Sequence, residues 1–191
     1  MAATNIGACP AFLSGWDVEG EGAGGANGGD LFSFTDVQAV NFHFLYGHCF
    51  GASLYGGCND VIRVKNGLFT NTSQISIIGG QLDNAQASCA EFQAQSVMVS
   101  NVRIWNCNVG NRSGNNVSVD TPAGTAFGEI LLNGNQFCTD SAGDPFTNIP
   151  IYLAPGNDWV EAVNNDFHNC TDGILDSSGG AHNVLTPNMG P

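Results

Sequence analysis

Positive charge is nearly absent from this sequence. Arg63, Lys65, Arg103 and Arg112 are its four basic residues, against 17 acids, for a net charge of -13. So acidic a surface repels phosphate backbones and anionic lipids, which argues against nucleic acid or a membrane surface as a partner. Long apolar runs are also missing. Nothing approaches the roughly 18 residues that a membrane span needs, so no membrane insertion is expected. The opening Met-Ala-Ala-Thr-Asn-Ile-Gly-Ala-Cys has neither a basic segment nor an apolar one of signal type. The expectation is a chain kept in a cytoplasm until release, or one whose signal has been removed. A sustained helical period is lacking as well; Ala85 to Ala94 is the nearest candidate for one short helix.

What is present points to an all-β domain. The chain has 191 residues, 42% of them hydrophobic, enough for one domain with a real core and too few to expect two. Glu19 to Asp30 (EGEGAGGANGGD) is Gly-rich without apolar periodicity and reads as a loop. From Val37 onward, short apolar runs alternate with Gly and Asn. The expected division is therefore a Gly-rich N-terminal capping or attachment segment, 1–36, and a β domain, 37–191.

The runs repeat a phrase. VQAVNFHFLYG, VIRVKNGLFTN, ISIIGGQLDNA, VMVSNVRIWNC, ILLNGNQFCTD and VEAVNNDFHNC each place an aliphatic strand before a Gly/Asn corner and an apolar anchor. The anchors are Phe44, Phe69, Leu82, Ile104, Phe137 and Phe167, preceded by Val40, Val64, Ile78, Val99, Leu132 and Val163. Successive anchors lie 25, 13, 22, 33 and 30 residues apart. Solenoid repeats have periods of about 20–50 residues, so the interval of 13 leaves the register around residues 61–86 open. Phrases such as VNNDFHNC and LNGNQF resemble the repeats of pectin-lyase-like right-handed parallel β-helices, over roughly residues 37–185. That resemblance implies inward anchors stacked coil on coil and an Asn ladder at a corner. Asn71, Asn84, Asn106 and Asn169, each two residues past an anchor, fit such a ladder.

Seven cysteines, an odd number without compact framework spacing, are expected to be mostly buried reduced thiols. Four N-x-S/T sequons, at Asn71, Asn111, Asn116 and Asn169, are no more than so Asn-rich a chain supplies by chance. His43, His48, Cys49 and Cys58 match no zinc spacing, so neither metal nor cofactor is expected. The Asn-Thr-Asp, Asp-Asp, Gly-His-Gly and Arg-x-Lys motifs of polygalacturonase-like members are absent apart from Arg63-x-Lys65 on a strand. No catalytic residue is assigned.

Strand alternation turns the neighbours of each anchor outward. The outer row then reads His43 and Leu45, Gln81 and Asp83, Arg103 and Trp105, Gln136 and Cys138, Asp166 and His168. Within it Arg103, Trp105, Gln136, Asp166 and His168 form the candidate glycan site, with Trp105 as the stacking face. Asp166 or Glu129 is a carboxylate suited to glycosidase acid chemistry, but the sequence identifies no partner carboxylate. These features point to a structural or adhesive spike, fibre or decoration subunit on the surface of a phage or phage-like particle. Such a subunit would assemble as a trimer, contact other particle proteins and bind a host surface polysaccharide. The alternative is an extracellular carbohydrate-active enzyme, a lyase or glycoside hydrolase.

Overall fold

The computed structural model describes residues 2–4, 11–14, 17–19, 29–35, 39–49, 58–65, 74–94, 96–107, 117–119, 129–138, 149–168, 170 and 172–190. Among them there is no helix, and every strand ladder is parallel. Ala85 to Ala94 holds a short strand, Ala90–Phe92, in place of the candidate helix.

The strands, in chain order, are β1 (Ala2–Thr4), β2 (Ala11–Ser14), β3 (Asp17–Glu19), β4 (Phe32–Thr35), β5 (Ala39–His48) and β6 (Ile62–Lys65). There follow β7 (Gln74–Asp83), β8 (Ala90–Phe92), β9 (Ser96–Ser100), β10 (Arg103–Trp105) and β11 (Val117–Val119). The last are β12 (Ile130–Asn133), β13 (Gln136–Phe137), β14 (Ile151–Leu153), β15 (Val160–Val163) and β16 (Ile174–Asp176). One sheet has the order β1-β4-β6-β8-β11-β14-β16. The other takes the remaining nine strands, with the long β5 and β7 each spanning two short segments of a neighbouring pass, β2 with β3 and β9 with β10. The chain therefore visits the two sheets in alternation, as parallel neighbours require, because each pair needs a crossover. Residues 1–36 contribute ladders to both sheets through β1 to β4 as well as holding the Gly-rich stretch.

Register makes the core. Val40, Ile75, Val97, Ile130 and Val160 stack in one inward row, and Phe42, Ile77, Val99, Leu132 and Ala162 in the next. All ten are at most 1% exposed, so both rows are removed from water along their length. Across from them Phe32 and Phe34 of β4 meet Phe42 edge-on, with centroids 5.4 and 5.8 Å apart. Leu82, Ile104 and Phe137 form a third buried row, and Phe167 packs on Phe137 at 5.3 Å.

Those four anchors lie where the repeat places them, but Phe44 does not. Leu82 pairs with Gly47, at whose Cβ position Val61 Cγ1 would stand 2.6 Å away, so that inward place has no room for a side chain. Phe44 instead occupies the bend, with φ 53° and more than half its surface exposed, and its ring covers Gly79 of the next strand. Val64 belongs to the other sheet, while Ile78 and Val163 sit one residue out of the Val99–Leu132 row, which Ile77 and Ala162 fill. Phe69, Asn71 and Asn169 lie outside the described residues.

The bend between the two segments of the nine-stranded sheet repeats in each pass. Phe44, Gly79, Asn101, Gly134 and Asn164 all have left-handed φ, from 53° to 68°, a conformation that Gly and Asn tolerate best. Beside this column runs a buried ladder. Val102 N donates to Asn135 Oδ1 (3.0 Å), Asn135 N to Asn165 Oδ1 (3.1 Å), and Asn165 N to Asn188 Oδ1 (2.8 Å). Each side-chain amide also donates, at 2.9 Å, to a carbonyl of the preceding pass: those of Val99, Leu132 and Ala162. The expected corner ladder exists as a shorter one, Asn106 Nδ2 to Asn84 Oδ1 at 3.3 Å.

The thiol expectation is overturned. Cys49 pairs with Cys58, Cys89 with Cys107, and Cys138 with Cys170; Cys9 lies outside the described residues. The partners are 9, 18 and 32 residues apart. Cys49–Cys58 joins the end of β5 to the approach to β6, while Cys89–Cys107 and Cys138–Cys170 join residues that the returning chain brings together at the same corner, so spacing along the chain concealed these two. Cys89 precedes β8 and Cys107 follows β10, so this bond closes one whole pass upon itself.

Candidate functional site

The predicted strip is only partly assembled. Arg103 pairs in register with Gln81 and Gln136, and a bridge joins Gln136 to Asp166. Arg103 Nε donates to Gln136 Oε1 at 3.4 Å, and the backbone N–H of the exposed His168 donates to Asp166 Oδ1 at 2.9 Å. Trp105 is not an open platform. It is half-buried, and its indole Nε1 donates to Asp83 Oδ2 at 2.9 Å. Asp83, expected to face outward, is 1% exposed. Its carboxylate also accepts from Gln81 and Asn84 and lies 2.8 Å from His48 Nδ1. Leu45 and Cys138 are buried too, Leu45 because the left-handed bend at Phe44 shifts the alternation by one residue.

A groove of about 690 Å³ lies on the other segment of the same sheet and runs over β12, β15 and the segment 182–184. Strand alternation builds it. Ile130 and Val160 point into the core, so Glu129, Leu131, Trp159 and Glu161 point out. Leu131 pairs with Glu161, and Glu161 bridges to Val184. The backbone N–H of Ile130 donates to Trp159 O at 3.3 Å, which sets Glu129 beside Trp159.

Trp159, with φ 59° and 51% of its surface exposed, stacks on His182 with centroids 4.0 Å apart and planes 3° from parallel. Asp158 fixes the partner ring: its Oδ2 lies 2.9 Å from His182 Nδ1, and its Oδ1 accepts the His182 backbone N–H at 2.9 Å. The hydrogen bonds from the His182 side chain and then its backbone hold the Asp158 carboxyl below the usual carboxylate range. No lysine or arginine lines the groove, and Glu129 and Glu161 are in no ion pair among the described residues.

Sequence reasoning found Glu129 but no second carboxylate, and it missed the aromatic pair. The signal was present in VEAV, whose alternation turns Glu161 outward. Finding the partner required the register of β12 on β15, two strands 30 residues apart.

A third polar cluster lies where the chain enters β6 and β8 of the seven-stranded sheet. Asp60, 1% exposed, accepts the Ser88 backbone N–H at 2.8 Å and the Asn59 amide at 2.9 Å, with Arg63 Nη1 at 3.7 Å. Burial raises its pKa to about 7; the Ser88 hydrogen bond opposes this, Asp30 and Glu91 add to it, and Arg63 offsets them. Arg63 itself is drawn to Glu91, Nε to Oε2 at 3.1 Å. Among the described residues no group of three or more His, Cys, Asp or Glu side chains is arranged to hold a metal ion. Comparison with protein-family models, with curated proteins and with solved structures finds no match.

Proposed function

We propose that the two parallel sheets are faces of one right-handed, pectin-lyase-like β-helix, and that the chain is an adhesive module binding a surface glycan in the groove beside Trp159. The strict alternation between the sheets supports the first part, since crossovers between parallel strands are right-handed in nearly all cases. The single observation that carries the second is an exposed indole, backed by a stacked imidazole, in a groove otherwise edged by carboxylates and apolar groups. The C–H face of a pyranose packs on such a ring while its hydroxyls bond to the polar rim.

Three disulfides suit a chain that folds and works in an oxidising, extracellular setting. Display on a particle surface is compatible with that setting, whereas thiols kept reduced in a cytoplasm no longer support it. The test is a glycan array followed by calorimetry on its hits. Trp159→Ala should abolish binding with the far-ultraviolet circular dichroism unchanged, and Trp105→Ala should retain it. Binding lost with Trp105 and kept without Trp159 would return the site to the Arg103 strip.

A second reading, glycoside hydrolysis, is favoured by Glu129 and Glu161. Both lie on the outer face of adjacent strands, diagonally across the Leu131–Glu161 pair, and glycoside hydrolysis uses two carboxyl groups in one cleft. Release of reducing ends from a bound glycan, lost in Glu161→Gln, would establish it.

A further inference from the structure

We infer that the groove selects a cationic, amine-bearing saccharide, with Glu129 and Glu161 receiving ammonium groups beside Trp159, the first across from it in the neighbouring pass and the second two residues along its own. This rests on the glycan reading above and narrows its ligand class.

The argument begins with what lines the groove. Its charged residues are Glu129 and Glu161, joined by a possible charge only at His182, and that ring is already held by Asp158. Both glutamates are exposed on the outer face, Glu129 immediately before β12 and Glu161 on the neighbouring β15. A uronate, sulfated or sialylated glycan would bring anions against these two carboxylates and Asp158, on a chain of net charge -13. Like charges placed that close oppose binding.

A neutral sugar can donate its hydroxyls to the glutamates but leaves both charges uncompensated as the groove loses water. An ammonium group compensates them. It also suits the stacked rings, because the face of an indole attracts a cation within about 6 Å of its centroid. Leu131 and Val184, the cross-strand neighbours of Glu161 on its two sides, supply apolar floor for the sugar C–H groups. Glu129 and Glu161 stand diagonally across β12 and β15, so successive amines of an extended chain lying across the strands meet one carboxylate each.

The experiment compares matched oligomers of β-linked glucosamine and of N-acetylglucosamine, which differ in the amine charge and its acetyl cap. Calorimetry is run at mildly acidic pH and low ionic strength on the whole chain, with oligolysine of equal charge as competitor. Glucosamine should bind about tenfold more tightly than the acetylated oligomer, from two exposed ion pairs and one cation–π contact. The preference should shrink as salt is added. Glu129→Gln with Glu161→Gln should remove the preference while N-acetylglucosamine binding persists, which also shows that the variant is folded. Asp166→Asn, on the other strip, should leave the preference intact, and oligolysine should not displace the sugar.

Equal affinity for the two oligomers, or a preference that survives in the double variant, would overturn the inference and leave glycan binding standing. Displacement by oligolysine, or an equal loss in Asp166→Asn, would overturn it in favour of attraction by the protein's overall charge. Binding of neither oligomer, nor of any other glycan on the array, would remove the glycan reading itself.

Discussion

Asp60 makes this protein less stable as the pH rises from about 4 towards neutrality. Its folded-state pKa is about 7 against an ordinary 3.8, because burial disfavours the charged carboxylate more than Ser88 and Arg63 favour it. Between those two values the folded chain holds a proton that the unfolded chain has released. Stability from this group is therefore fully present below about pH 4, is lost as pH rises, and levels off above about pH 7. Integrating one proton over that window gives a loss of about 2–3 kcal/mol between pH 5 and pH 8. For a domain of this size that corresponds to a fall of about 5–10 °C in melting temperature. Urea unfolding at constant ionic strength, with the disulfides intact, measures it. The decisive quantity is the difference between the wild type and Asp60→Asn, in which every other group cancels. The amide keeps an oxygen for the Ser88 N–H and has nothing to ionise, and the Asn59 amide can turn over to present its own oxygen. The variant should lose 2–3 kcal/mol less over the same interval, by about the amount that Asp60 contributes. Parallel pH profiles for the two proteins would refute the assignment of a neutral, buried carboxylic acid at this position.

Thiol titration of the denatured, unreduced chain should find no more than one reactive group, because six of the seven cysteines are paired; five or more would break the pairing described above. Asn165→Ala removes an acceptor for the Asn135 N–H and side-chain amide and the donor to Leu132 O at a site 0% exposed. It should cost about 3 kcal/mol in urea unfolding, and a loss below 1 kcal/mol would mean that water replaces the ladder at that level. Light scattering over a dilution series tests the proposed trimer: a mass about three times 19.9 kDa that resists dilution is expected, with exposed Phe44 and Tyr46 among the apolar side chains free to pack between copies, since Leu45 is in the core. A stable mass of 19.9 kDa at all concentrations would refute the trimer.

The recurring phrase made the β class and much of the inward register legible, because alternation and burial are local properties. Leu82, Ile104, Phe137 and Phe167 could be placed from sequence since each follows its bend at the same distance. The errors cluster at that bend. A left-handed residue breaks the two-residue period, so everything counted through it is displaced by one place. Phe44 misled because aromatics at φ 53° are rare, while its equivalents Gly79, Asn101, Gly134 and Asn164 are of the types expected there. The consequence reached the candidate site. Leu45 was turned outward for this reason; Asp83 and Trp105 adjoin correctly placed anchors, and what sequence could not show there is the cross-strand bond from the indole to a buried carboxylate.

The groove was illegible for a different reason. Its charged and aromatic parts come from three successive passes, at Glu129, at Trp159 and Glu161, and at His182. None of them forms a local motif, and the chain between passes varies in length. The Cys138–Cys170 bond links two of these same passes across 32 residues, and the Asn135–Asn165–Asn188 ladder ties all three together by hydrogen bonds of 2.8–3.1 Å. A displacement of β15 by one residue against β12 would turn Glu161 into the core and break the ladder at the same time. The buried amides therefore fix the register on which the exposed carboxylates depend, so the Asn column behind the sheet sets the geometry of the groove in front of it.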